Sequence, residues 1–353
     1  MADAHTRSHT LALIFIFTVV IIVGGAVLAG TVLYLRIEEP FKAYDATEVY
    51  VEIPAGAGVA EIRRRLIDAG VVRDAYVFRA ALWWSGEARN LQAGEYRFDR
   101  PVSPLDVLRM IARGDVYTRR ITFPEGLTIP EMARIYESRG FGTARAFLDA
   151  ARDVSAIRAL DPLATDLEGY LFPETYALPR RVAASRLVSM MVQRFLAVYT
   201  EPLRASATAQ GLSHRQVVAL ASLVEKETAK PEERPMVAAV YRNRLKIGMP
   251  MQADPTVVYA LLLAGRYDGN IHRADLALDS PYNTYKYPGL PPGPIASPGK
   301  ASLEAALAPA AVPSLYFVSR NDGSHAFAET LAQHNANVRT YQVLFFRQQR
   351  QAR

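Results

Sequence analysis

At 353 residues, with 50% hydrophobic and 22% charged side chains, the chain is too long for one small core and reads as about two soluble domains plus an anchor. The formal net charge of +6 suits an acidic surface or polymer, but the basic residues are scattered as Arg63-Arg64-Arg65, Arg119-Arg120 and Arg180-Arg181. No nucleic-acid motif accompanies them, and the absence of cysteine rules out disulfides, thiolate zinc sites and a cysteine nucleophile.

Residues 1–10 read as a short tail. Leu11 to Leu35 then carries no charged residue. At about 1.5 Å per residue this run spans roughly 37 Å, enough to cross a hydrocarbon core of about 30 Å. The rival reading is a cleaved signal peptide, because Val27-Leu28-Ala29 before Gly30 has the small-residue pattern of a cleavage site. The apolar run continues through Thr31-Val32-Leu33-Tyr34-Leu35, which favours a transmembrane helix over 11–35. Arg7 on one side and Arg36 and Lys42 on the other leave the orientation undecided by charge. Residues 36–48 read as a linker.

An internal repeat follows at an offset of 70 residues: Ile53-Pro54-Ala55-Gly56 matches Phe123-Pro124-Glu125-Gly126, Glu61-Ile62 matches Glu131-Met132, and Gly70 matches Gly140. Each copy predicts a strand, a Pro-x-Gly turn, an amphipathic helix ending at Gly, and a second helix around 75–84 or 144–152. Gly94-Glu95-Tyr96-Arg97-Phe98 reads as a strand, and Ser103-Pro104 opens a helix that Gly114 closes. Residues 49–116 thus form a βααβ unit with the size and order of a LysM-like glycan-binding module; a structural spacer is the alternative.

Helices dominate from residue 206. Ser213 caps one running to about Ala229, residues 232–245 form a second, and Asp254 caps a third. Residues 280–300, rich in Pro, Gly and Tyr, read as an extended loop, and Asn321-Asp322-Gly323 as a hairpin turn. A basic helix ends the chain.

The stretch most suggestive of chemistry is Leu220-Ala221-Ser222-Leu223-Val224-Glu225-Lys226-Glu227-Thr228. On a helix Glu225 shares its face with Val218, Ala221 and Ser222, small or apolar residues with no cation among them. A carboxyl there is expected to be poorly solvated and able to keep its proton near neutral pH. Glu227 lies over Leu220, Leu223 and Val224 and fits a buried structural carboxylate paired with Arg234 or Arg244. Spacing alone leaves both glutamates open. Gln252 and Asp254 carry polar groups suited to positioning a sugar, although Asp254 equally fits a plain helix cap. Ser297-Pro298-Gly299-Lys300 satisfies Ser-x-x-Lys, but Pro-Gly breaks the helical turn that chemistry needs. The six histidines form no His-x-x-x-His pair, so no metal site is read.

Several of these motifs together resemble those of the endolytic murein transglycosylases, the YceG-like lytic transglycosylases. The resemblance rests on residues 220–228, Glu233-Arg234, Asn243-Arg244-Leu245, Gly248-Met249, Gln252, Asp254-Pro255-Thr256-Val257, Leu167-Glu168-Gly169-Tyr170-Leu171-Phe172-Pro173-Glu174-Thr175-Tyr176, Pro281-Tyr282-Asn283-Thr284-Tyr285 and Gly289-Leu290-Pro291-Pro292-Gly293. It implies an α+β protein with an N-terminal transmembrane helix, a LysM-like module and a larger catalytic domain over 117–353. It places residues 1–10 in the cytoplasm, the helix over 11–35 across the inner (plasma) membrane, and the catalytic domain in the periplasm or outside the cell. The implied reaction cleaves the β-1,4 bond from N-acetylmuramic acid to N-acetylglucosamine within glycan strands, leaving 1,6-anhydro ends and ending strand elongation, with no cofactor. The resemblance puts the catalytic role on Glu225 rather than Glu227, and substrate contacts on Glu168, Gln252, Asp254, Tyr282 and Asn283. Its implied partners are peptidoglycan strands, inner-membrane lipid and penicillin-binding proteins, and no nucleic acid. A hydrolytic muramidase and a non-enzymatic glycan-binding scaffold are the alternatives.

Overall fold

A computed structural model describes residues 2–351, with side chains over 15–348. The side chains of the tail expected at 1–10 lie outside the described residues. The chain divides into two compact units, Met1–Arg119 and Arg120–Arg353, in a mixed α+β fold that is mostly helical, with small two-stranded sheets.

The first unit begins with α1 (Ala2–Glu38). Within it Phe15–Glu38 is long and apolar enough to cross a membrane, and its side chains from Phe15 to Leu33 are exposed. Residues 36–48 differ from the expected linker. The helix continues to Glu38, Ile37 is fully buried in the unit's core, and Phe41 forms an antiparallel bridge with Val102. Apolar Ile37 and Phe41 are the reason: they gain more from the core than from water.

β1 (Val49–Ile53), α2 (Val59–Asp68), α3 (Ala75–Ser85) and β2 (Gly94–Phe98) follow, with β1 antiparallel to β2 and Val49 opposite Phe98. Val51, Ile53, Ile62, Leu66, Phe78 and Tyr96 close the core between sheet and helices. In α4 (Pro104–Arg113), Ser103 Oγ accepts from Asp106 N at 3.1 Å and Gly114 takes the left-handed cap position, as the sequence predicts.

The other copy of the repeat, which apart from its first residue lies in the second unit, is β3 (Arg119–Thr122), α5 (Ile129–Ser138) and α6 (Ala144–Ala150). The equivalence extends to backbone angles. Gly56 and Gly126 have φ of 80° and 76°, and Gly70 and Gly140 have 69° and 68°. β3 pairs with β4 (Thr175–Leu178). Then come α7 (Ala184–Val198), α8 (Glu201–Ala209) and α9 (His214–Glu227). Ser213 and Gln216 form a capping box at the start of α9. From Val217 to Val224 every residue of α9 is buried, which marks it as the central helix of the unit.

α10 (Arg234–Lys246) and α12 (Lys300–Leu307) pack on α9, and α11 (Asp254–Leu263) lies beside it. Asp254 is not the cap expected of it. Ala253 holds that position, and the Asp254 carboxylate instead accepts from Tyr285 Oη at 2.6 Å. The hairpin is present as β5 (Tyr316–Ser319) antiparallel to β6 (His325–Ala328). α13 (Leu331–Val338) and α14 (Phe345–Gln351) end the described chain.

Candidate active site

The last turn of α9 carries Glu225 to a point where three segments meet. Its side chain is only 5% exposed, and both oxygens are engaged. Oε1 accepts from Arg234 Nη2 at 2.9 Å, at the start of α10, and Oε2 accepts from the Gly299 backbone N–H at 2.9 Å. The burial matches the expectation from sequence, but the absence of a cation does not. The helix face has no cation of its own; Arg234 is delivered by the next helix.

The same Arg234 Nη2 reaches Glu125 Oε2 at 3.2 Å, so two carboxyl groups share one guanidinium. Glu125 belongs to the Pro-Glu-Gly turn of the second repeat copy. Lys226 Nζ fastens that turn by donating to Gly126 O at 3.1 Å. The loop over residues 294–299 completes the enclosure: Ile295 N donates to Ser222 Oγ at 3.1 Å, Ser297 N donates to Leu127 O, and Gly126 N donates back to Ser297 O. Burial, and then the charge of Glu225, push the Glu125 carboxyl above the ordinary carboxylate range against the opposing pull of Arg234. Arg234 Nε and Ser297 Oγ are buried here without a hydrogen-bond partner among the described residues.

Glu227 points elsewhere. Its carboxyl accepts from Tyr241 Oη at 2.6 Å, and burial raises its pKa. Neither arginine expected beside it makes an ion pair with it: Arg234 serves Glu225, and Arg244 donates to the carbonyls of Leu315 and Met251 at 2.7 and 2.6 Å. A cavity of about 270 Å³ adjoins Glu227 and is also lined by Gln252, Asp254 and Tyr285. Gln252 is held in the left-handed region at φ 49°, an uncommon state for a residue with a side chain.

Glu168 is buried at the start of α5, where Ile129 N donates to both its oxygens at 3.3 and 3.1 Å. Burial drives its pKa up to about 8 even though those donors favour the charged form. A cavity of about 530 Å³ lies beside it, with Tyr259 and Asp166 in its wall, and Tyr282 stacks edge-on against Tyr259 at 4.9 Å. Asn283 is fully buried. Its amide donates to Leu276 O and Leu278 O and accepts from Tyr285 N, so it organises its own loop. The Ser-x-x-Lys pattern is not assembled: Lys300 pairs with Glu304 across a turn of α12.

The glycine-rich motifs explain how these groups are held. A side chain on Gly169 would collide with Pro294, and one on Gly299 would collide with the Glu125 carboxylate. Buried Asp161 accepts from Arg215 Nη1 at 2.6 Å and Tyr170 Oη at 2.7 Å, tying the 167–176 motif to α9.

Residues 51–340 match the family model described as YceG-like. The chain belongs to the YceG-like family. It is 32% identical over 337 residues to the endolytic murein transglycosylase of Bacillus subtilis strain 168, covering 91% of each chain. It is 30% identical over 331 residues to the protein of the same name from Streptococcus pneumoniae D39, covering 85% of this chain but 59% of that one. A crystal structure of a YceG-like protein from Listeria monocytogenes superposes with a TM-score of 0.56 at 32% identity, over 82% of this chain and 98% of that one. Within this YceG-like chain the sequence singles out Glu225 but not Glu125, which the structure brings to the same guanidinium. The available signal was the repeat itself, in which Glu125 stands where the first copy has Ala55.

Proposed function

We propose that this protein is an endolytic murein transglycosylase in which Glu225 is the acid and base. It is a lyase of peptidoglycan: it cleaves the β-1,4 bond between N-acetylmuramic acid and N-acetylglucosamine inside glycan strands and leaves 1,6-anhydro ends. The observation that carries the residue assignment is the buried Glu225 carboxyl at the end of α9, gripped by Arg234 and the Gly299 amide and neighboured by Glu125.

In this reading Glu225 donates a proton to the bridging oxygen as the glycosidic bond breaks. As the carboxylate it then removes the proton of the muramyl C6 hydroxyl, which attacks C1 of the same ring. The nucleophile is intramolecular, so holding the sugar contributes a large part of the acceleration. Glu125, whose carboxyl binds its proton more tightly than usual, supplies a second seat for the proton within the cluster. Gln252 and Asp254 hold polar sugar groups in the cavity beside Glu227, and Glu168 and Tyr282 support the groove from the other side of the motif loops. Asn283 acts by shaping the 276–285 loop.

The βααβ unit over 49–116 is assigned as a LysM-like glycan-binding module and 117–353 as the catalytic domain. Anchoring by α1 puts the protein in the inner membrane with both domains outside the cytoplasm.

The Glu125–Glu225 pair favours one second reading, a hydrolytic muramidase, because two neighbouring carboxyl groups are what water-using glycosidases employ. Mass spectrometry of products from uncrosslinked glycan strands separates the two. Transglycosylase products end in an anhydro sugar and are lighter by one water. The Glu225→Gln variant is expected to lose turnover by about a thousandfold or more while still binding strands. Anhydro ends formed at an undiminished rate by that variant would remove Glu225 from its role.

A further inference from the structure

The chain has two tryptophans, Trp83 and Trp84, and both stand exposed on α3 of the first unit, at 78% and 50%. Tyr76, two turns earlier on the same helix, is 76% exposed. The opposite face of α3 buries Phe78 and Ala81 in the core, so the module's own packing does not account for the aromatic face. The Trp84 ring lies 5.1 Å from that of Tyr34, in the last turn of the apolar run that ends at Leu35. Leu33 and Leu35, at 41% and 61% exposure, continue the apolar surface of α1 up to this contact. Exposed arginines flank it: Arg36 after the run, Arg79 set 5.1 Å over the Tyr76 ring, and Arg109 on α4. Indole and phenol rings beside cations, at the level where a membrane span ends, are the side chains that settle at the boundary between acyl chains and headgroups.

We propose that α3 is an interfacial helix, with Tyr76, Trp83 and Trp84 set into the headgroup layer of the bilayer that α1 crosses, so that the βααβ module lies on the membrane surface. The proposal rests on the reading of α1 as a membrane anchor. The occupant is lipid because the aromatic face is continuous with the exposed apolar surface of α1 through the Tyr34–Trp84 contact. A sugar-stacking platform would not need that continuity.

The test uses the full-length protein in phosphatidylethanolamine–phosphatidylglycerol vesicles, followed by intrinsic tryptophan emission. Trp83→Phe and Trp84→Phe variants report each ring alone. Lipids brominated high in the acyl chain are expected to quench each variant roughly twofold, and more than lipids brominated near the chain end. Chitin-type oligosaccharides added to the solution are expected to leave the emission unchanged. Emission that resists bromine at every depth in protein that floats with the vesicles overturns the proposal and leaves the anchor standing. A spectral shift with oligosaccharide in its place identifies a sugar platform. Protein that fails to float overturns the anchor and the proposal together.

Discussion

The strand–turn–helix unit occurs twice, over residues 49–85 and 119–150, with matching backbones and different surroundings. In the first copy the turn reads Pro54-Ala55-Gly56, nothing lies within 4 Å of a side chain placed on Gly56, and the N-cap of α2 is Gly58 with no side-chain hydrogen bond. Its Glu61 pairs with Arg65 at 2.8 Å. In the second copy the turn reads Pro124-Glu125-Gly126 and abuts Glu225 and Lys226. Its equivalent of Glu61, Glu131, closes a capping box with Thr128, and Glu168 adds a further acceptor to the same helix start. One scaffold therefore serves two ends. The second copy differs by a single added carboxyl on the turn, which shares Arg234 with Glu225, and by a firmer seat for the helix behind it.

The seat should show the largest effect. Glu168 holds its proton up to about pH 8 in the folded chain, against 4.5 ordinarily, so folding binds the proton. The stability linked to this group is fully present below pH 4.5 and is lost as pH rises through about 8. The full difference is on the order of 5 kcal/mol. Thermal melts of the wild type are therefore expected to fall between pH 5 and pH 9, and those of Glu168→Gln to fall much less. Parallel curves for the two proteins would mean that Glu168 is not the linked group.

The added carboxyl comes next. Glu125→Gln is expected to lower kcat about a hundredfold with little change in KM. Melting should change little, since the Glu125 side chain is 44% exposed. Gly299→Ala offers an independent route to the same end. The backbone there is extended, at φ −77° and ψ 173°, and tolerates alanine, but the new methyl displaces the Glu125 carboxylate. About tenfold loss of kcat is expected, with no further loss when it is combined with Glu125→Gln. Additive losses would show that the two residues act separately.

Much of this arrangement is legible in the sequence because it is local. Ser103 and Gly114 bound α4, Ser213 and Gln216 start α9, and the repeat is visible as matched prolines and glycines, all within the reach of a turn. The partners of Glu225 are not local. Gly299 is 74 residues away, and Glu125 reaches the cluster through an arginine 109 residues from it. A helix wheel shows which face a carboxyl shares but not which cation the next helix delivers. Asp254 fails as a cap for the same kind of reason: a competing partner, Tyr285, comes from a loop 31 residues on. Residues 36–48 look like a linker because their composition is mixed, and only the assembled core shows that Ile37 has somewhere to go.

The smallest effect isolates geometry from chemistry. Gly56 and Gly126 sit in the same left-handed state, so replacing either with alanine should cost about 1 kcal/mol of stability for the same backbone reason. The local consequences differ. At Gly56 the methyl meets nothing, whereas at Gly126 it comes to 3.5 Å from Lys226 Cδ and 3.6 Å from Glu225 Cγ. These are ordinary contact distances, so the side chains need not be expelled, but a turn strained away from its preferred angle shifts Glu125 relative to Arg234. Matched drops in melting temperature, with kcat reduced about threefold in Gly126→Ala and unchanged in Gly56→Ala, are expected. Equal kinetic losses in both variants would mean that the turn contributes only fold stability, and that Glu125 owes its role to nothing in the geometry of the second copy.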